Sequence, residues 1–244
     1  MRFRHLTCVS LLAAVVAGCG VLAGCAGPQS QSGQADQTAP APVDPATGQS
    51  SEPVIEIAFL GDSLTAGLGL LAEQAYPNVI KQMFHAEGYT EVDVVNGGSS
   101  GDTTAGGARR VEQLLSGNTR ILVVALGGND ALRGLTVQQT HDNLASILDQ
   151  AVSRRLAIML AGMLAPTNLG EDYQKGFQNV FVRLSREYQN SIVFVPFLLD
   201  GVAGDPNLNQ ADGIHPNAQG ARVIAERLFP GLRRLVDDSL NAGR

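Results

Sequence analysis

The sequence predicts one α/β domain over residues 53–244, a three-layer α/β/α sandwich built around a sheet of five parallel strands. Two observations predict this class. β-prone apolar runs alternate with helical stretches five times, and the runs are almost continuously apolar. Parallel strands that are buried on both faces have this composition. Five alternations are too few for a barrel of eight repeats, so we expect a doubly wound open sheet.

Each element follows from a local change of pattern along the chain. The predicted strands cover residues 54–60, 92–96, 121–126, 156–160 and 192–195. The predicted helices cover residues 73–87, 103–115, 137–154, 172–189 and 216–229. Ligands of such sheets bind beyond the carboxyl ends of the strands. The loops that follow the five strands are therefore expected to form the functional face.

The first 24 residues are predicted to be a signal peptide. A basic start is followed by an apolar stretch that contains polar residues and glycines, which is too interrupted for a stable transmembrane helix. The stretch ends in Leu22-Ala23-Gly24-Cys25, which resembles the lipobox of bacterial lipoproteins. Cleavage before Cys25 and lipid attachment to its thiol are therefore expected. Cys19 is a second candidate, and an ordinary secretory signal is the alternative.

Residues 25–52 are predicted to be a lipidated cysteine followed by a disordered tether, because Pro, Gln, Ser, Ala and Gly dominate this segment. The expected location is the bacterial cell envelope, facing the periplasm or the exterior. Loss of Arg2 and Arg4 would change the net charge from −6 to −8, which argues against a nucleic-acid partner. All three cysteines lie in the first 25 residues, which excludes a cysteine nucleophile or cysteine-ligated zinc in the domain.

Four loops of the predicted functional face carry residues that can perform acyl transfer. They read Gly-Asp-Ser-Leu at 61–64, Asn-Gly-Gly-Ser-Ser-Gly-Asp at 96–102, Gly-Gly-Asn-Asp at 127–130 and Asp-Gly-Ile-His at 212–215. A serine hydroxyl needs an adjacent base to act as a nucleophile, and histidine is the usual one. Asp212 lies three residues before His215, close enough for its carboxylate to hold the imidazole. Glycines allow a close approach of backbone N–H groups to a substrate.

Together these loops resemble the four sequence blocks of the SGNH/GDSL hydrolase superfamily, and in particular its branch of arylesterases, lysophospholipases and acyl-thioesterases. The resemblance covers residues 55–228 and implies a flavodoxin-like fold and a serine esterase that needs no cofactor and no metal. It implies that Ser63 is the nucleophile, His215 the base and Asp212 its partner. It further implies an oxyanion hole formed by Ser63, Gly101 and Asn129, with Gly97 and Gly98 as alternatives to Gly101.

Several of these residues also have a structural interpretation. Ser63 could simply cap a helix, and Asp62, Asp102 and Asp130 are interpreted as loop or helix-start residues. Residues 67–72 match the dinucleotide pattern G-x-G-x-x-A, but they do not directly follow the strand, so that interpretation is rejected. Thr65 stands where the nucleophile elbow of α/β-hydrolases requires glycine.

The predicted substrate is a small-molecule acyl or aryl ester, with thioesters and lysophospholipids as further candidates. This rests on apolar residues of the functional face, namely Leu64, Leu164, Pro166 and Ile214, which could alternatively only pack the domain. A carbohydrate O-acetylesterase of the same superfamily and a non-catalytic ligand-binding lipoprotein are the competing hypotheses. The chain is expected to be a monomer that contacts the membrane through Cys25.

Overall fold

The computed structural model describes residues 55–115 and 117–242. The predicted signal peptide, the proposed lipid site at Cys25 and the tether up to residue 52 lie outside the described residues. Among the helices in the described ranges, none is long and apolar enough to cross a membrane.

Among the residues that the structure describes, five parallel strands form one sheet in the order β2-β1-β3-β4-β5, which confirms the predicted class. The strands are β1 (Ile55–Gly61), β2 (Val92–Gly98), β3 (Thr119–Ala125), β4 (Ala157–Ala161) and β5 (Ile192–Val195). The order reverses after β2, because the chain crosses back over β1 to form β3. Side chains of the central strands β1 and β3 are almost completely buried, as their continuous apolar runs predict.

In the described ranges, seven α-helices connect the strands or follow the last one. They are α1 (Ser63–Ala66), α2 (Tyr76–Ala86), α3 (Thr104–Leu114), α4 (Gly128–Leu132), α5 (Val137–Ser153), α6 (Glu171–Glu187) and α7 (Ala218–Ala242). The short helices α1 and α4 lie in loops at the carboxyl ends of β1 and β3. They position residues of the predicted functional face.

The last helix is longer than predicted: the expected end near residue 229 is wrong, and α7 continues to Ala242. Pro230 lies inside the helix on its exposed side. An interior proline costs about 3 kcal/mol. The turns that follow bury Leu232, Leu235 and Val236, and each such side chain contributes about 1.5–3 kcal/mol. The burial of these side chains therefore outweighs the cost of the proline. A sequence prediction that ends helices at proline does not take this burial into account.

Helices cover both faces of the sheet. On one face, the ring of Phe59 packs edge-on against Tyr76 of α2 at 5.8 Å, and Met159 lies against α7 at Gly231. On the other face, Leu60 lies against α3 at Gly107, and α5 packs between α3 and α6. Neighbouring residues of one strand thus face opposite layers. The sandwich presents the carboxyl ends of its strands, and the loops that follow them, along one edge.

Candidate active site

Ser63, His215 and Asp212 form a continuous chain of hydrogen bonds. The Ser63 Oγ atom lies 2.9 Å from His215 Nε2, and His215 Nδ1 lies 2.7 Å from Asp212 Oδ2. The other Asp212 oxygen accepts hydrogen bonds from the backbone N–H groups of His215 and Ile214, at 3.0 and 2.9 Å. These hydrogen bonds, with the His215 backbone N–H first, lower the pKa of Asp212 to about 2. The carboxylate therefore stays ionised and can orient the imidazole at any pH near neutrality.

Ser63 is held at the carboxyl end of β1 by the tight turn into α1. Asp62 caps this helix, because its Oδ1 accepts a hydrogen bond from the Leu64 N–H at 3.0 Å. A Cβ atom on Gly61 would lie only 1.9 Å from Thr65 Oγ1, so only glycine fits before the turn. Thr65 in turn exchanges a 2.8 Å hydrogen bond with the hydroxyl of buried Tyr76. The position of Ser63 is thus fixed by groups on both sides of it.

The loop that carries His215 is attached to the loop after α1. The side chain of Gln210 donates hydrogen bonds to the carbonyl oxygens of Leu68, at 2.7 Å, and Pro216, at 3.0 Å. The Gln210 backbone N–H donates to the carbonyl of His215 at 2.8 Å. Gln210 therefore fixes the base relative to the segment that carries Ser63, although the two are far apart in the sequence.

Three groups beside Ser63 can donate hydrogen bonds to a substrate oxygen. Within the described part of the chain, the backbone N–H groups of Ser63 and Gly101 donate no hydrogen bond to another protein group. Gly101 has a φ of +79°, a conformation that favours glycine, and its carbonyl accepts a 2.7 Å hydrogen bond from Arg133. Asn129 lies at the start of α4, and its Nδ2 donates to Asp62 Oδ2 at 3.3 Å. The second hydrogen of that amide nitrogen is available for a ligand.

Asp62 is a buried carboxyl group at the centre of this arrangement. The residue is only 2% exposed. Burial raises its pKa to about 6, opposed chiefly by the hydrogen bond from the Leu64 N–H and by the positive charge that His215 can carry. The sequence interpretation treated Asp62 as a residue of loop hydrogen bonds and did not detect its contact with Asn129.

Arg110 of α3 joins three segments beneath the site. Its guanidinium donates to the carbonyl oxygens of Gly61 and Gly97, at 2.8 and 2.6 Å, and forms a 2.7 Å ion pair with Asp102. These contacts tie the ends of β1 and β2 to the start of α3. Sequence reasoning missed Arg110, since nothing local distinguishes it from exposed Arg109 beside it.

The two remaining loop aspartates support the loops and do not line the cavity. Asp102 accepts from Arg110 and from the Thr103 N–H. Asp130 is fully buried and accepts two hydrogen bonds from Thr104, the first residue of α3. Among the residues that the structure describes, no three or more His, Cys, Asp or Glu side chains are grouped so that they could hold a metal ion.

An open cavity of about 600 Å³ lies at the carboxyl edge of the sheet, directly against Ser63 and His215. All four residues predicted to contact substrate line it: Leu64, Leu164, Pro166 and Ile214. Gly101 and Asn129 line it as well, whereas Gly97 and Gly98 do not. The sequence interpretation missed a further apolar part of the wall, which comes from the loop after β5: Phe197, Leu199 and Ala203. Every loop after a strand thus contributes to one cavity.

The fold and these contacts define the chain as a hydrolase with a serine–histidine–aspartate site. Residues 59–223 match the GDSL-like Lipase/Acylhydrolase family. Esterase TesA of Pseudomonas aeruginosa is 38% identical over 178 residues, which cover 72% of this chain and 87% of that protein. The thioesterase 1/protease 1/lysophospholipase L1 of Escherichia coli K12 is 34% identical over 73% of this chain and 84% of its own length. A crystal structure of TesA aligns with a TM-score of 0.69 and 36% identity, covering 74% of this chain and 99% of that one.

The chain belongs to the GDSL-like lipase/acylhydrolase family and is an SGNH-type serine esterase. Apart from residue 116, the matched region lies within the described residues and includes all four loops that carry the site.

Proposed function

We propose that the chain hydrolyses acyl and aryl esters of short to medium length through an acyl-enzyme on Ser63, and that thioesters and lysophospholipids are further substrates. The observation that carries this proposal is the 2.9 Å contact between Ser63 and His215 at the wall of an apolar cavity. The names of the relatives, an esterase and a thioesterase/lysophospholipase, support the same range of substrates.

The proposed mechanism assigns one role to each group. His215 Nε2 accepts the Ser63 proton as Oγ attacks the carbonyl carbon, and the imidazolium then returns this proton to the leaving alkoxide, phenoxide or thiolate. Asp212 fixes the imidazole tautomer and stabilises the imidazolium. In the second half, water attacks the acyl-enzyme with His215 again as base, and Ser63 leaves with its proton restored. The N–H groups of Ser63 and Gly101 and the Asn129 amide stabilise the oxyanion of each tetrahedral intermediate.

The wall of the cavity favours an acyl or aryl group over a sugar. Most of its lining side chains are apolar, and four leucine and isoleucine residues at its rim are between 46% and 61% exposed: Leu68, Leu132, Leu164 and Ile214. An acetyl group would leave most of this surface in contact with water. A longer chain would cover it, and each buried methylene would favour binding by about 0.8 kcal/mol. These features support an acyl or aryl esterase over a carbohydrate O-acetylesterase.

A graded substrate panel tests the proposal. With p-nitrophenyl esters from acetate to dodecanoate, kcat/KM should rise with chain length before it falls, and Ser63→Ala should abolish turnover. A matched assay follows acetate release from acetylated glycans. Retained activity in Ser63→Ala contradicts the mechanism, and a preference for acetylated glycans contradicts the substrate class. Failure of a fluorophosphonate to label the wild-type chain would instead favour a non-catalytic ligand-binding protein.

We further propose that the chain is a monomeric lipoprotein of the bacterial cell envelope, attached through lipid on Cys25. The lipobox-like Leu22-Ala23-Gly24-Cys25 supports this assignment, as does the long polar segment before the domain. Two or three acyl chains give stable membrane attachment, which a single chain does not. Cys25→Ser should abolish palmitate labelling and release an active enzyme, whereas Cys19→Ser should change neither. Labelling that survives in Cys25→Ser and is lost in Cys19→Ser would move the lipid site to Cys19.

A further inference from the structure

We propose that Asp62 is a positioning residue for catalysis, whose ionised carboxylate selects the orientation of the Asn129 amide that donates to the oxyanion. The inference rests on the proposed acyl-transfer function and assigns a task to a buried acid that the mechanism above does not use. Asp62 precedes the nucleophile, but in the part of the chain that the structure describes its carboxylate forms no hydrogen bond with the side chain of Ser63, His215 or Asp212.

The burial of Asp62 makes its negative charge costly. Removing a carboxylate from water is costly unless a cation or several hydrogen bonds compensate it. In the described part of the chain Asp62 has no ion-pair partner, and its oxygens receive hydrogen bonds from the Leu64 N–H and from Asn129. A neutral serine or asparagine would cap α1 equally well without this cost. Helix capping alone therefore does not account for an acid at this position.

The two carboxylate oxygens of Asp62 accept hydrogen bonds from two different helices, α1 and α4. Oδ1 is used by the cap of α1, which carries Ser63, and Oδ2 faces the amide of Asn129 on α4. An ionised carboxylate only accepts hydrogen bonds, so it attracts the NH₂ end of the amide and repels its oxygen. A neutral asparagine at position 62 can also donate, and it would tolerate the amide in the flipped orientation.

The flipped amide would be harmful to the reaction. Asn129 lines the cavity beside Ser63 and Gly101. With its nitrogen held by Asp62, the second N–H can point at the substrate oxygen. With the amide reversed, a carbonyl oxygen would replace that donor next to a developing negative charge. Asp62 thereby keeps a donor, and not an acceptor, ready before the substrate binds, which is the preorganisation that oxyanion stabilisation requires.

Other charged groups near Asp62 bear on its ionisation. His215 favours the carboxylate when it carries a positive charge, and Asp102 opposes it. Asp102 is itself paired with Arg110, and within the described ranges the Asn129 side chain donates to Asp62 and forms no hydrogen bond with Asp102. Replacing Asp102 therefore removes a nearby negative charge without changing the amide, which provides a matched control.

A double-mutant cycle on the full chain tests the inference. Asp62→Asn should lower kcat by about 10- to 100-fold and change KM by less than about threefold, since the loss of one oxyanion donor costs about 100- to 1000-fold. In an Asn129→Ala background the same substitution should cost less than about threefold. Asp62→Ser, which keeps an oxygen for the Leu64 N–H, should behave as Asp62→Asn does. Asp102→Asn should cost the same factor in both backgrounds.

The inference is overturned if Asp62→Asn costs the same factor with and without Asn129, because the acid then acts independently of the amide. It is equally overturned if Asp62→Ser retains full kcat. Circular dichroism and fluorophosphonate labelling establish that each variant is folded and retains a reactive Ser63. Activity that survives Ser63→Ala defeats the proposed function itself, whereas an inactive Ser63→Ala with an additive cycle defeats only the role of Asp62.

Discussion

The difference in unfolding free energy between Asp62→Asn and the wild type should increase in favour of the variant as pH rises. Burial raises the pKa of Asp62 from its ordinary value of 3.8 to about 6. Each pH unit between these values corresponds to about 1.4 kcal/mol, so keeping the carboxylate ionised in the folded state costs about 3 kcal/mol. Asparagine has nearly the same shape and carries no charge, so the variant does not incur this cost.

The sign follows from proton binding. Between pH 3.8 and 6 the folded protein binds the Asp62 proton more tightly than the unfolded chain, so the Asp62 contribution to stability is lost as pH rises through 6. Hydrogen bonds that the substitution weakens add a constant offset. The difference in unfolding free energy between Asp62→Asn and wild type should therefore rise by about 3 kcal/mol from pH 3.5 to pH 8. Taking the difference removes the contribution of Asp212, which both proteins share.

Urea titrations followed by circular dichroism at five or six pH values measure this difference. Asp142→Asn is the control, because Asp142 is exposed and its pKa is lowered, first by a hydrogen bond from His141. Its difference from wild type should move in the opposite direction as pH rises. A difference for Asp62→Asn that stays flat across the range, or falls, would refute the assignment of a buried, costly carboxylate.

Three further predictions concern the groups that support Ser63 and His215. Asp212→Asn should lower kcat by about 10³- to 10⁴-fold with little change in KM, because the imidazole loses the partner that fixes its tautomer; steady-state kinetics on a p-nitrophenyl ester measure this, and a loss below tenfold would contradict it. Gly98→Ala should destabilise the fold by about 1–3 kcal/mol in urea titrations, since its Cβ would lie 2.1 Å from the backbone nitrogen of Ala66. Gly176→Ala, whose Cβ meets only ordinary contacts, should be neutral or stabilising. Arg110→Gln should lower both stability, by about 2 kcal/mol, and kcat, whereas Arg109→Gln at the exposed neighbouring position should change neither.

The layer order of the fold could be predicted because its cause is local. Continuous apolar runs such as residues 121–126 can be buried only in a strand covered on both faces, and five of them alternate with helical patterns. The end of α7 could not be predicted in the same way. Whether a helix continues past Pro230 depends on the surface that Leu232 and Val236 meet, and that surface is formed by distant segments.

The site residues also fall into two groups, those with a local sequence signal and those that are recognised only by distant contacts. Short glycine-rich motifs at strand ends or before the last helix contain Ser63, Asn129 and His215. The loops at the carboxyl edge of a parallel sheet lie close together, so the topology predicts that these three residues meet. Arg110 contacts carbonyl oxygens of Gly61 and Gly97, and a carbonyl group has no signature in a sequence. The wall from the loop after β5 was missed for a related reason, because Phe197 follows a short strand without any polar motif.

Asp62 shows why a buried acid beside a nucleophile is informative once its neighbours are known. From the sequence alone Asp62 is interpreted as a residue of loop hydrogen bonds. The structure shows that it caps α1, and a neutral cap would serve there without a charge that burial opposes. In the fold, the same carboxylate contacts the Asn129 amide, 67 positions away. Both of its oxygens accept hydrogen bonds and neither donates one, a property that a neutral cap lacks. As pH rises from 3.5 to 8, the unfolding free energy of Asp62→Asn should therefore rise relative to that of the wild type, whereas its kcat should stay below the wild-type value. A charge that costs stability at neutral pH and supports the rate is expected of a residue retained for function.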